Sequence, residues 1–114
     1  MGHHPVHAGT TKEARERDDL QRRLQPLLDG HGVDADFSGH IHNFQHIRVP
    51  GSDVEYFVNT SASLTREVVR HDGAQFASPD AGFSLCSLSE TELITTFVNG
   101  DGKIVYQHTR TKSR

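Results

Sequence analysis

Leu20, Leu24, Leu27 and Leu28 stand at i, i+4, i+7 and i+8, which lays one apolar stripe along a helix. Thr10 or Thr11 offers an N-cap with Glu13 in the first turn, so the helix is expected to run to about Leu24. Pro26 would clash with the preceding turn, which predicts a kink or a fresh short helix with Pro26 near its first position. Gly30 and Gly32 then end it. From there the period changes to two. Val33 to Ser38 alternates apolar and polar residues, the pattern of a strand with one buried face. Phe44 to Val49 and Val54 to Asn59 read as further strands, with Pro50-Gly51 as a turn between them. Gly82 to Leu88, Glu92 to Val98 and Lys103 to Thr109 read as a meander. Its second turn is Asn99-Gly100-Asp101-Gly102, where Asn and Gly accept the positive φ of a tight hairpin. Thr60 to Pro79 is polar and aperiodic and reads as one long loop, and the tail from Arg110 as frayed. No internal repeat is found.

The 114 residues suffice for one small domain and not for two. The net charge of −3, with histidine neutral, gives no basic excess of the kind that nucleic-acid binding needs. Arg15, Arg17, Arg22 and Arg23 are interleaved with Glu13, Glu16, Asp18 and Asp19, as on a solvated helix face. Cys86 is the only cysteine, so no intrachain disulfide can form, which leaves the compartment open. In its strand it reads as a small core residue. No apolar run approaches the ~18 residues of a membrane span. No charged and apolar leader precedes Gly2, so no signal peptide is expected, and Gly-His-His-Pro reads as an opening inside a domain.

Histidine is the anomaly. There are nine, most of them before residue 47, and they are spaced rather than consecutive as in a purification tag. Two segments carry the candidate chemistry: Gly2-His3-His4-Pro5, and Gly39-His40-Ile41-His42 followed by Asn43 and His46. Imidazole is the commonest neutral metal ligand. On a strand His40 and His42 would share a face; in a loop they diverge, which suits two neighbouring ions. Alone, Gly-His-x-His is equally well a pair of exposed or hydrogen-bonded loop histidines. The upstream Gly-His-His-Pro strengthens the metal reading. His31, His71 and His108 read as surface residues.

The order of these motifs resembles that of the purple acid phosphatases, especially the small tartrate-resistant type, within the calcineurin-like metallophosphoesterase superfamily. Gly2-His3-His4-Pro5-Val6 looks like the family's Gly-His-aromatic-Pro-Val loop. Leu24-Gln25-Pro26-Leu27-Leu28 looks like its Leu-x-Pro-Leu-Leu helix, and Gly39-His40-Ile41-His42-Asn43 like its Gly-His-x-His-Asn signature. Tyr56-Phe57-Val58 with Ser61-Ala62, Gly82-Phe83 and the closing hairpin are similar to its later strands, so the likeness covers nearly the whole chain.

The resemblance implies an α/β fold: the C-terminal half of a metallophosphoesterase sandwich, one mostly antiparallel or mixed sheet plus a helix, with residues 1–114 as a partial domain. It implies hydrolysis of phosphate monoesters at a binuclear centre of ferric iron with iron, zinc or manganese. His3 and His40 would bind the divalent ion and His42 the ferric one. Beside these ligands, Asn43 is a candidate to orient the site from behind, His46 either lines the cleft or faces solvent, and His4 either supports the site or packs on the second sheet or bonds a carbonyl. The family's Gly-Asp and Gly-Asn-His motifs, which supply its aspartate, bridging aspartate, tyrosine and asparagine ligands, occur nowhere here. Lys12 lies near the place of the family's further substrate-assisting histidine, and His7 is the nearest histidine, either in that substrate role or as a solvent-exposed loop residue. The implied partners are therefore a phosphate monoester and the missing N-terminal half, without nucleic acid or membrane. The family is often secreted or lysosomal. This chain alone would keep at most one divalent ion, with weak activity or none. The alternative is a non-catalytic metal-binding relic or binding module. An unpartnered apolar patch is expected around Phe37, Ile41, Tyr56 and Val58.

Overall fold

In the computed structural model, which describes residues 1–112, the apolar stripe forms two consecutive helices, α1 (Arg15–Arg23) and α2 (Gln25–Gly30). Pro26 lies in the first turn of α2, where its missing N–H costs no hydrogen bond, so the break falls at Leu24. α1 begins later than the threonines suggest. Ala14 occupies the N-cap position without a side-chain cap, because Thr10 Oγ1 instead accepts the Lys12 N–H at 3.1 Å in a local turn.

Seven strands follow: β1 (Ala35–Ser38), β2 (Phe44–Ile47), β3 (Glu55–Val58), β4 (Ala74–Ser78), β5 (Gly82–Leu88), β6 (Glu92–Asn99) and β7 (Ile104–Thr111). They divide into two sheets. The first has the order β1-β3-β2-β4 and is mixed: β1 runs parallel to β3, while β2 is antiparallel to both β3 and β4. The second is the expected antiparallel meander β5-β6-β7.

Two sequence expectations fail here. The long loop contains β4, which pairs with β2 across a register shift at His46/Ile47. Ala74 to Ser78 shows too little alternation to announce itself, and only the edge of β2 makes it a strand. The tail is likewise tied down, since β7 continues to Thr111 and Arg110 bonds Asp34 Oδ1 (3.1 Å) and Glu55 Oε2 (3.0 Å).

The four-stranded sheet is covered on both sides. One face meets the helices through Val6, Ile47, Val54 and Tyr56, with Leu20, Leu24 and Leu28 against them. The other meets the three-stranded sheet through Phe44, Phe57 and Phe97. Phe44 and Phe97 stack at 4.4 Å, and Phe37 stacks on Phe57 at 5.0 Å. Every residue of β2 and β3 is therefore buried, polar ones included.

The expected patch lies elsewhere. Ile41, Tyr56 and Val58 are at most 2% exposed, because the helices and the Pro5–Gly9 segment cover them. Phe83, Leu85, Leu88 and Ile104 of the three-stranded sheet are exposed instead.

Candidate functional site

Pro5 and Val6 are buried, and proline biases the residue before it towards extended backbone, which fixes the path of His4. The same loop is tied to the end of β1: Gly2 N–H donates to Phe37 O and Gly39 N–H to His3 O, each at 2.9 Å. The His-Pro loop and the Gly39–Asn43 turn are thereby held side by side.

Within that turn Ile41 is 1% exposed and packs on Ala8 and Val58. Its two neighbours are thrown outward, and both adopt left-handed backbone, His40 at φ 70° and His42 at φ 65°. Such conformations are disfavoured for residues with a Cβ and are sustained by surrounding contacts. Those contacts come from the long loop. Arg66 donates a guanidinium N–H to His40 O (2.9 Å) and its backbone N–H to His42 O (3.0 Å). Asn43, fully buried, donates to Glu67 O (3.1 Å) and accepts from Gln45 Nε2 (2.8 Å).

The rings of His3 and His40 meet with Nε2 and Nδ1 3.0 Å apart. His4 packs against both, with ring centroids at 5.1 Å from His3 and 4.2 Å from His40. One potential ligand nitrogen from each of the three falls within 4.8 Å of the others. His4 thus joins the histidine cluster instead of packing on the second sheet. His42 is outside the group and shares with His40 a concave surface bordered by Ser38, Asn59, Ser61 and Cys86. Burial, then the charges of Lys12, His4, His3 and Arg66, push His40 below its usual value and favour the neutral imidazole that a metal requires.

Other candidates lie away from this cluster. His7 bonds Gln25 Oε1 (2.8 Å) and packs edge-on against Tyr56, under the helices. Burial foremost lowers its pKa. His46 neither lines the cleft nor faces solvent: it is 1% exposed and stacks on Phe57 between the sheets. His108, read as a surface residue, packs on His46. His71 accepts the Gly73 N–H at 2.9 Å, and His31 is exposed. Cys86, read as a small core residue, is instead exposed and borders the cleft. Sequence reading missed Arg66, whose role depends on a contact across 26 positions that no local pattern signals.

No protein-family model matches the chain. Its sequence is similar to tartrate-resistant acid phosphatase type 5 of Rattus norvegicus, at 27% identity over 116 aligned positions covering 93% of this chain and 35% of the relative. It is also similar to purple acid phosphatase 3 of Arabidopsis thaliana, at 26% over 97% of this chain and 31% of the relative. The chain therefore spans about a third of the length of these relatives. Among solved structures it matches GAP50, "the anchor in the inner membrane complex of Plasmodium", with a TM-score of 0.89 and 26% identity over 100% of this chain and 36% of that one. The purple acid phosphatase PPD1 from yellow lupin (Lupinus luteus) seeds matches in fold, with a TM-score of 0.73 and 16% identity over 96% of this chain and 24% of that one.

Proposed function

We propose that this chain, similar in sequence and fold to the C-terminal part of the purple acid phosphatases, supplies the histidine side of a two-metal phosphomonoesterase centre. The observation that carries this reading is the meeting of His3 and His40 at 3.0 Å from loops 37 residues apart.

The donor chemistry fits half of such a centre. Neutral imidazoles suit a borderline divalent ion such as zinc or ferrous iron. A ferric ion calls for anionic oxygen donors, and among the described residues no carboxylate belongs to the His3–His4–His40 group. His3 and His40 would hold the divalent ion and His42 would face the second one, with carboxylates contributed by the N-terminal half of the domain. When bound, the ions would polarise the phosphoryl oxygens and acidify a water. The chain's own residues would fix His40 through Arg66, keep its ring neutral, and attract the phosphate dianion with the charges of Lys12 and Arg66. The far edge of β1 supports such a partner. β1 is an edge strand of its sheet, and Gly2 donates to Phe37 O beside it while the Met1 amino group pairs with Asp36.

A separately produced N-terminal half carrying Gly-Asp and Gly-Asn-His motifs should restore hydrolysis of an aryl phosphate monoester when mixed with this chain, which alone should be nearly inactive. His40→Ala should abolish the rescue. Efficient turnover by the 114-residue chain alone would overturn this division of labour.

A second reading is a non-catalytic binding module. It draws on the similarity to GAP50, a protein described as an anchor. A complemented mixture that binds metal yet never turns over would favour it.

A further inference from the structure

We infer that His3, His4 and His40 form a three-imidazole site for one borderline divalent cation of the zinc or nickel class, with His4 as third donor and His42 left outside. The inference rests on the proposed role of His3 and His40 and departs from it in the third ligand. The family loop that Gly2–Val6 resembles carries a plain aromatic residue at this position, so the donor belongs to this chain's own sequence.

The geometry is close to that of a bound ion. His3 Nε2 and His40 Nδ1 face each other across 3.0 Å, so a single proton lies between two nitrogen lone pairs. A tetrahedral ion with metal–nitrogen bonds of about 2.0–2.1 Å holds its ligand nitrogens about 3.3 Å apart. Opening the pair by a few tenths of an ångström, with the shared proton moved to the far nitrogen of its own ring, therefore makes room for a cation between two neutral imidazoles. The third nitrogen, from His4, is already within 4.8 Å of the other two, whereas His42 contributes none to the group.

Little ordering is needed on binding. Pro5 and the Gly39 N–H bond to His3 O fasten one loop. Ile41 and the Arg66 bond to His40 O fasten the other. The donor set also selects the ion. Three neutral imidazoles without a carboxylate favour Zn2+, Ni2+ or Cu2+ over Mg2+, Ca2+ or Fe3+. Lys12 and Arg66 oppose the incoming charge, which sets the affinity below that of a buried structural zinc site.

The test is a calorimetric Zn2+ titration of the 114-residue chain, with histidine ring signals followed by NMR. One ion per chain is expected, with ring shifts at His3, His4 and His40. His4→Phe, which keeps an aromatic ring, and His4→Gln should each weaken binding about tenfold or more, while His42→Ala leaves it within about twofold. Thermal melts of the same samples verify folding. The inference is overturned if the chain takes up no Zn2+, if both His4 variants bind like the parent, or if His42→Ala weakens binding as much as they do. The complementation assay stays separate. Rescued hydrolysis by a parent chain whose Zn2+ uptake ignores His4 overturns this inference alone, whereas Zn2+ uptake through His4 without any rescued hydrolysis overturns the phosphatase reading alone.

Discussion

The His46 Nε2–H bond to Glu55 Oε1, 2.8 Å long, lies in the seam between the two sheets, where both side chains are at most 3% exposed. Tyr106 Oη bonds the other ring nitrogen at 2.7 Å. Arg48 and Arg110 close on the carboxylate at 3.3 and 3.0 Å, and His108 Nε2 lies 3.6 Å from it. One carboxylate of β3 thus gathers partners from β2, from the residue just after it and from β7, and ties the two sheets together. Removing its charge breaks the ion pairs with the half-exposed Arg48 and with Arg110, which keeps Asp34 and Asp53. Glu55→Gln should destabilise the chain by about 1–3 kcal/mol in urea unfolding.

The same network makes stability depend on pH. Burial would raise the Glu55 carboxyl, but the His46 hydrogen bond and the charges of Arg48, His108 and His46 outweigh it and hold it at about 2. Its contribution is complete above the unfolded value of 4.5 and is lost as pH falls from there towards about 2. His108 is also lowered, by burial first and then by the charge of His46. Its contribution is present above 6.5 and is lost as pH falls below that value. Both act in the same direction, so the urea midpoint should drop steadily on acidification from about pH 7 to pH 3. A midpoint flat over that range would contradict the assignment.

Phe97 is fully buried, stacked on Phe44 and edge-on to Phe57 at 6.0 Å. Truncation to alanine leaves a cavity between the sheets that rigid strands cannot close. Phe97→Ala should cost about 3–5 kcal/mol and loosen the meander first, seen as faster amide exchange in β5–β7 than in β1–β3.

Cross-strand pairing places Phe83, Val98 and Ile104 in one row, with Leu85 on the same side of β5 by the alternation of the strand. Phe83, Leu85 and Ile104 are 49%, 55% and 65% exposed, a contiguous apolar surface that should bind a hydrophobic dye. Leu85→Lys with Ile104→Lys should remove most of that fluorescence and shift the unfolding midpoint little. Unchanged dye binding would place the patch elsewhere.

His42 holds a left-handed backbone at φ 65° that glycine adopts without penalty. His42→Gly should therefore stabilise the fold by up to about 1 kcal/mol in chemical denaturation, while abolishing rescue in the complementation assay. Loss of stability would mean that the ring itself holds the turn.

The sequence by itself determined much of this. The leucines, of which only Leu27 faces solvent, and Pro26 specify their helices because local sterics and periodicity act within a few residues, and the Asn99–Gly102 turn forms as expected except that the positive φ falls at Gly102 while Asn99 ends β6. The two histidine motifs were legible because their residue types are rare at such density. Tertiary structure alone decided the rest. β4 is a strand only because β2 offers it hydrogen bonds. Gln45, His46 and Glu55 are of residue types usually exposed, yet they are buried, since layers on both faces of β2 and β3 let polar side chains satisfy one another inside. The grouping of His4 with His3 and His40, and the exclusion of His42, also depended on the fold. Spacing sets which residues share a loop. The direction of each ring is set by Ile41 anchored in the core, by positive φ on either side of it, and by an arginine 26 residues away.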